Sequence, residues 1–160
     1  MGRKAVYPGS FDPFTYGHLD VAVRSLLIFD ELLIAVAANP EKRSPLFSVD
    51  ERVEMIRESL AEHPGVEVTA YRGLTVDFAR SRGAAALVKG LRTQSDLDGE
   101  LQQALMNRQL VPELPTVFLL SSVAHIFVSS SILKDVAGHG RDVGEFVPPP
   151  VAARLKEKFR

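Results

Sequence analysis

Tyr7-Pro8-Gly9-Ser10-Phe11-Asp12-Pro13-Phe14-Thr15-Tyr16-Gly17-His18 links a short apolar run, Ala5–Tyr7, to a helix-length amphipathic stretch, His18–Phe29. An apolar run without clean polar alternation reads as a strand covered on both faces. The same exchange recurs down the chain. Strand-like runs fall at Leu32–Ala38, Val66–Ala70, Ala85–Val88 and Val117–Leu120. Helix candidates lie between them at Val49–Ala61, Val76–Arg82 and Asp96–Gln109, and two more follow at Ser131–Ala137 and Pro149–Phe159.

This β-α-β-α order predicts an α/β fold. It should be a Rossmann-like, five-stranded parallel sheet with helices on both faces, closed by C-terminal helices. Several helix starts carry their own punctuation. Ser48 with Glu51 makes a capping-box pattern, Ser95 stands similarly before Asp98, and Ser129, Ser130 and Ser131 are three cap candidates in a row. Pro148–Pro150 gives the last helix a rigid entry. The 160 residues suit one domain over 1–160, and 46% hydrophobic against 24% charged residues leaves enough apolar mass for a core.

Composition excludes several functions. The net charge of −1 offers no global field for a nucleic-acid backbone, so any anion site must be a local cluster. With no cysteine there is no disulfide framework, thiolate metal site or cysteine nucleophile. Met1-Gly2-Arg3-Lys4 runs straight into the first strand without a signal-peptide pattern, and no apolar run approaches a membrane span. A cytoplasmic protein with neither a membrane nor a nucleic-acid partner is expected. His63, His139 and the acidic pairs lack metal-ligand spacing, and no Walker lysine or G-x-G-x-x-G motif is present.

In a parallel α/β sheet, ligands bind beyond the carboxyl ends of the strands, and the chemistry-bearing residues cluster there. The first loop ends at a helix start whose free N–H groups can face an anion. Gly9 and Gly17 allow close backbone approach, Ser10 offers a hydroxyl, and His18 projects into the same space. The helix dipole disfavours imidazolium while a nearby triphosphate favours it, which leaves the charge of His18 open. Lys42, between Pro40 and Pro45, is a mobile point charge able to follow a phosphate, with Arg43 as its competitor. Lys89-Gly90-Leu91-Arg92 places two cations about a glycine after the fourth strand, suited to several phosphate charges. Ser129–Ser131 can cap a helix, bind phosphate, or divide the two tasks. Thr75 follows the third strand and can equally cap the next helix.

Gly9-Ser10-Phe11-Asp12-Pro13 with Thr15-Tyr16-Gly17-His18 resembles the T/H-x-G-H signature of the nucleotidyltransferase superfamily. Within it the chain is similar to the bacterial phosphopantetheine adenylyltransferases almost from end to end. The shared stretches are Asn39-Pro40 with Lys42, Asp50-Glu51-Arg52, Val88–Arg92, Glu100-Leu101-Gln102, Met106-Asn107-Arg108 and Val128–Ser131. The resemblance implies transfer of AMP from ATP to 4′-phosphopantetheine, giving dephospho-CoA and pyrophosphate in coenzyme A biosynthesis, by a homohexamer. It implies that His18 stabilises the transition state, with Lys42 and Arg92 also catalytic. ATP would meet Ser10, Phe11, His18, Gly90, Leu91, Arg92, Glu100, and the run His125, Ile126, Phe127, Val128, Ser129, Ser130, Ser131. Phosphopantetheine would meet Ser10, Lys42, Thr75 and Lys89. Mg²⁺ would be carried mainly by the ATP phosphates. The chain departs from the family at Gly99, where an aromatic usually precedes the glutamate, and at His125-Ile126. Rival readings are another small nucleotidyltransferase, with nicotinate mononucleotide or a phosphorylated alcohol as acceptor, or a non-catalytic nucleotide sensor.

Overall fold

The computed structural model describes residues 2–38 and 44–160, so Lys42, Arg43 and Asn39-Pro40 lie outside the described residues. Five strands, β1 (Lys4–Gly9), β2 (Glu31–Ala37), β3 (Val66–Tyr71), β4 (Ala86–Leu91) and β5 (Thr116–Leu120), form one sheet in the order β3-β2-β1-β4-β5. All four pairings are parallel. The helices are α1 (Tyr16–Ser25), α2 (Val49–Ser59), α3 (Thr75–Ser81), α4 (Gln94–Leu110), α5 (Ser130–Gly138) and α6 (Pro149–Lys158). The expected Rossmann-like α/β sheet is therefore observed.

Successive strand residues are apolar because both faces are covered. Ala5, Tyr7, Leu32, Ile34, Val36 and Val88 enter one core cluster, shared with Val21 and Ala22 of α1, Met55 and Ile56 of α2, Leu133 of α5 and Val151 of α6. Their neighbours Val6, Leu33, Ala35 and Leu87 enter the other, with Val76 and Ala79 of α3. The strand period of two thus divides one apolar run between two cores.

β1 and β2 stay in register from Lys4↔Glu31 to Gly9↔Val36, whereas β1 and β4 share only Ala5↔Ala86 and Val6↔Leu87. The central pair parts where the strand order reverses, and a crevice opens there. β4 runs on to Leu91 because it is held on its other side by β5, through Lys89↔Phe118, Gly90↔Leu119 and Leu91↔Leu120. Lys89, Gly90 and Leu91 are therefore strand residues, not the loop residues that the sequence suggested.

Other boundaries move for local reasons. α1 stops at Ser25 and not at Phe29. Leu26, Leu27 and Ile28 donate to carbonyls three residues back, a tightened turn that delivers Phe29 to the core. α4 starts at Gln94, capped by Thr93, whose hydroxyl accepts from Asp96 N–H at 3.3 Å. Ser95 is not the cap; its hydroxyl pairs with that of Thr93 at 2.9 Å. The Ser48–Glu51 capping box forms as expected, as does the proline entry to α6.

Candidate active site where β1 and β4 part

A cavity of about 460 Å³ fills this crevice. The first loop and α1 supply Ser10, Phe11, Gly17 and His18; β4 supplies Lys89 and Gly90, followed by Arg92; the start of α5 supplies Ser130 and Ser131, after Val128 and Ser129. α4 adds Ser95, Asp96, Gly99 and Glu100, of which only Glu100 was expected. Leu91, His125, Ile126, Phe127 and Thr75 are not among its lining residues.

Thr15 and His18 form a reciprocal capping box, which explains why the motif has this spacing. The His18 N–H donates to Thr15 Oγ1 at 3.3 Å, and the Thr15 N–H donates to His18 Nδ1 at 3.0 Å. Threonine at the cap and histidine three residues on are the two ends of one hydrogen-bonded clasp. Because Nδ1 accepts an amide proton, the neutral ring carries its own proton on Nε2, the donor left for a ligand in the cavity. Burial first, and then the Arg92 charge, lower the His18 pKa from 6.5 to about 4. Burial and Arg92 thus both favour the neutral ring at pH 7, on the same side as the helix dipole and against the pull of a triphosphate. Phe11 packs edge-on to the imidazole at 5.1 Å and Phe14 stacks on it at 5.7 Å, completing its cage. The phenol of Tyr7 is likewise held neutral, its pKa raised by burial first and by the Glu100 charge, against Arg92.

The glycines divide into two kinds. At Gly9 a Cβ would lie 2.9 Å from Phe11 Cζ, and at Gly90 it would lie 3.0 Å from Val21 Cγ2. These two are bare because protein packs against them, and Phe11 itself bends back with φ of 51°. Gly9 is therefore needed for packing, a different use from the ligand approach inferred from sequence. A Cβ on Gly17 would meet nothing closer than 3.4 Å, so the fold admits one and the cavity is what gains from its absence.

The cation of β4, Lys89, and the one just after it, Arg92, each have an acidic partner on α4. Lys89 Nζ is 3.3 Å from Glu100 Oε2, and Arg92 Nε is 3.2 Å from Asp96 Oδ2. Glu100 Oε2 is buried without a properly angled hydrogen bond, so the contact with Lys89 is ionic only. Arg92 also donates to the Val128 carbonyl, tying the end of β4 to the serine run. In that run Ser129 caps α5 through Ile132 N–H at 3.2 Å, and Ser130 donates to the Pro13 carbonyl at 2.8 Å. Ser131 Oγ has no hydrogen bond among the described residues, so the three serines stand in three different settings.

Elsewhere the structure separates what sequence had grouped. Thr75 does not cap α3: Leu74 holds the cap position without a side-chain bond, and the Thr75 hydroxyl meets Tyr71 Oη at 2.8 Å. His125 lies in a short 3₁₀ turn, stacked on Tyr16 at 5.9 Å. Sequence reasoning gave no role to Arg52, which is 4% exposed. Its Nη1 donates to the carbonyls of Ser10 at 2.7 Å and Ala37 at 3.3 Å, one step beyond the last β1–β2 pair. A readable signal existed: Arg52 shares the apolar stripe of α2 with Val49, Val53 and Ile56, an unusual place for a cation unless it is hydrogen-bonded. Among the described residues no three His, Asp or Glu side chains form a metal-ligand group, and no helix is long and apolar enough to cross a membrane.

Residues 6–136 match the family model described as cytidylyltransferase-like. A phosphopantetheine adenylyltransferase of Heliobacterium modesticaldum is 51% identical over 155 residues, covering 97% of this chain and 92% of the relative. One from Caldanaerobacter subterraneus is 48% identical over 158 residues, covering 99% and 98%. One from Alkalilimnicola ehrlichii is 50% identical over 160 residues, covering 99% and 92%.

Proposed function

The chain belongs to the cytidylyltransferase-like family and within it to the phosphopantetheine adenylyltransferases, and from that premise we propose that it moves AMP from ATP to 4′-phosphopantetheine, reversibly, giving dephospho-CoA and pyrophosphate. The observation that carries this reading is His18, neutral, clasped through Nδ1 and left with Nε2–H as its donor in a cavity with Lys89, Arg92 and Ser131. Such a site provides hydrogen bonds and positive charge, and its two carboxylates, Glu100 and Asp96, are engaged by Lys89 and Arg92, which leaves no free carboxylate among the described lining residues to act as a general base. Adenylyl transfer to a phosphate needs none, because the attacking oxygen is already an anion at neutral pH.

One oxygen of the acceptor phosphate forms a bond to the α-phosphorus while the bond from that phosphorus to the pyrophosphate oxygen breaks. His18 Nε2–H stabilises the charge that builds on the α-phosphate. Ser10, Lys42 and Lys89 orient the acceptor phosphate, with Arg52 fixing the Ser10 carbonyl. Arg92 and the serine run receive the leaving group, and the rate enhancement comes from positioning and preorganised charge. Phosphate oxygens would compete with Glu100 and Asp96 for Lys89 and Arg92. Mg²⁺ would come with the triphosphate and offset its charge, and no group of three His, Asp or Glu side chains among the described residues is arranged to hold it instead.

The uncovered face of α4 supports self-association, which we take to be the homohexamer that the family resemblance implies. The helix has no buried residue, and Leu97, Leu101, Leu105, Met106 and Leu110 are all exposed along it. Another copy of the chain covering this face would remove that apolar surface from water. A cytoplasmic enzyme of one domain, residues 1–160, using ATP and CoA-pathway intermediates and no nucleic acid, is consistent with these features.

Pyrophosphate release tests the reading directly. ATP and CTP are offered with 4′-phosphopantetheine, nicotinate mononucleotide and a phosphorylated alcohol, and the assembly mass is measured on the same preparation. Turnover only with ATP and phosphopantetheine is expected. Preference for another pair replaces the proposal, and tight ATP binding without turnover on any acceptor makes the chain a nucleotide sensor.

A further inference from the structure

Asp12 lies in the first loop, does not line the cavity, and yet is among the most heavily engaged carboxylates of the molecule. Its side chain is 8% exposed, and both oxygens are taken. Oδ1 accepts Phe47 N–H at 2.9 Å; Oδ2 accepts Leu46 N–H at 2.9 Å and the Lys134 ammonium at 3.0 Å. A buried carboxylate persists only when paired and hydrogen-bonded, and this one meets that condition by joining three parts of the chain: its own loop, the Leu46-Phe47 turn and α5.

Those parts are the ones that carry the site. Asp12 follows Phe11, whose ring cages His18, and precedes Pro13, whose carbonyl accepts the Ser130 hydroxyl at 2.8 Å. Ser130 and Lys134 are one helical turn apart and so share a face of α5. α5 is thus fastened to the first loop at two points on one face, by Ser130 to Pro13 and by Lys134 to Asp12. Both oxygens of Asp12 also accept amide protons from the turn leading into α2, which holds that turn against the same loop.

We propose that Asp12 and Lys134 form a positioning pair that registers the serine-bearing start of α5 against His18. The pair touches no reacting atom. It sets the separation between the group that steadies the α-phosphate and the groups that hold the leaving phosphates. This inference rests on the adenylyl-transfer reading for its kinetic effect and on the geometry alone for its effect on ATP binding. A misplacement of 1 Å costs on the order of 100-fold in rate, so partial loosening should be visible in turnover.

Lys134→Met is the informative variant, because the lysine side chain is 32% exposed and Asp12 keeps its two amide donors without it. A kcat lower by about tenfold, a part of the loss expected for a 1 Å misplacement, should accompany a raised KM for ATP, an unchanged KM for phosphopantetheine and a lowered Tm, because a mostly buried carboxylate loses its cation. Lys134→Arg should restore at least part of the loss. A kcat within twofold of the unmodified protein, whatever the change in Tm, overturns the proposal, as does a loss that Lys134→Arg leaves untouched. ATP dissociation constants are measured on the same proteins by calorimetry. If the unmodified protein transfers no adenylyl group, the functional reading fails, and the pair is then judged on ATP affinity: weakened at least fivefold in Lys134→Met supports it, unchanged affinity overturns it.

Discussion

α1 and α4 each follow one of the two central strands, and each supplies residues to the cavity between them, but they are held in place by different means. α1 buries Gly17, Val21, Ala22 and Ser25, and its first turn is closed by the Thr15–His18 clasp. α4 buries nothing. It is anchored by the Thr93 cap and by the pairs Glu100–Lys89 and Asp96–Arg92, all partly open to water. Partly exposed ion pairs contribute little, roughly 0–1 kcal/mol each. Within one copy of the chain, one side of the site is therefore built into the core, and the other is held by charges that a phosphate ligand would itself attract. On the proposed mechanism, the rigid side would carry the group that steadies developing charge, and the looser side the groups that exchange partners.

The sharpest way to break this comparison is to remove the preorganised donor. His18→Ala should lower turnover by about 100-fold or more, as loss of an electrostatic stabiliser does, with folding confirmed by near-UV circular dichroism. A loss of only a few-fold would mean that the α1 side is not where catalysis is concentrated.

The neutral state of His18 also has a consequence for stability. Its folded pKa of about 4 lies below the ordinary 6.5, so the unfolded chain binds the extra proton first. Stability from this residue is intact above pH 6.5 and is lost as pH falls from there towards 4. Between pH 7 and pH 5 the urea midpoint of the unmodified protein should fall more than that of His18→Ala. Equal falls would show that the imidazole is not held neutral.

The contrast between the two helices could not be read from the sequence, although the sheet and most of the cavity could. Strand runs such as Leu32–Ala38 and loops placed after strands follow from local pattern, and a parallel sheet turns that pattern into a site. Leu97, Leu101 and Leu105 recur every four residues like a core stripe, but a periodic stripe does not say what covers it. Pairs such as Lys134 with Asp12, 122 residues apart, or Lys89 with Glu100 across a strand and a helix, leave no local mark. Thr75 fitted a cap by position alone, and the Tyr71 hydroxyl that claims it is visible only in three dimensions.

The same small substitution placed in each helix gives the finest test. Gly99 and Gly17 both lie in a helix and both line the cavity, and replacing either by alanine favours the helix by about 1 kcal/mol. At Gly99 a Cβ would meet nothing within 4 Å, so Gly99→Ala should raise Tm by roughly 2–4 °C for a chain of this size and leave ATP affinity within about twofold. At Gly17 the added methyl meets Thr15 Oγ1 at an ordinary 3.4 Å, so the fold should accept Gly17→Ala as well. But Gly17 sits one residue before His18 on the rigid side, where a ligand cannot be met halfway. There the methyl should weaken ATP by about tenfold, the equivalent of about 1.4 kcal/mol of overpacking. Thermal unfolding and calorimetric titration of the two variants read both effects. If they lose affinity equally, the two walls of the cavity are equally rigid, and the distinction between the core-built side and the charge-held side disappears.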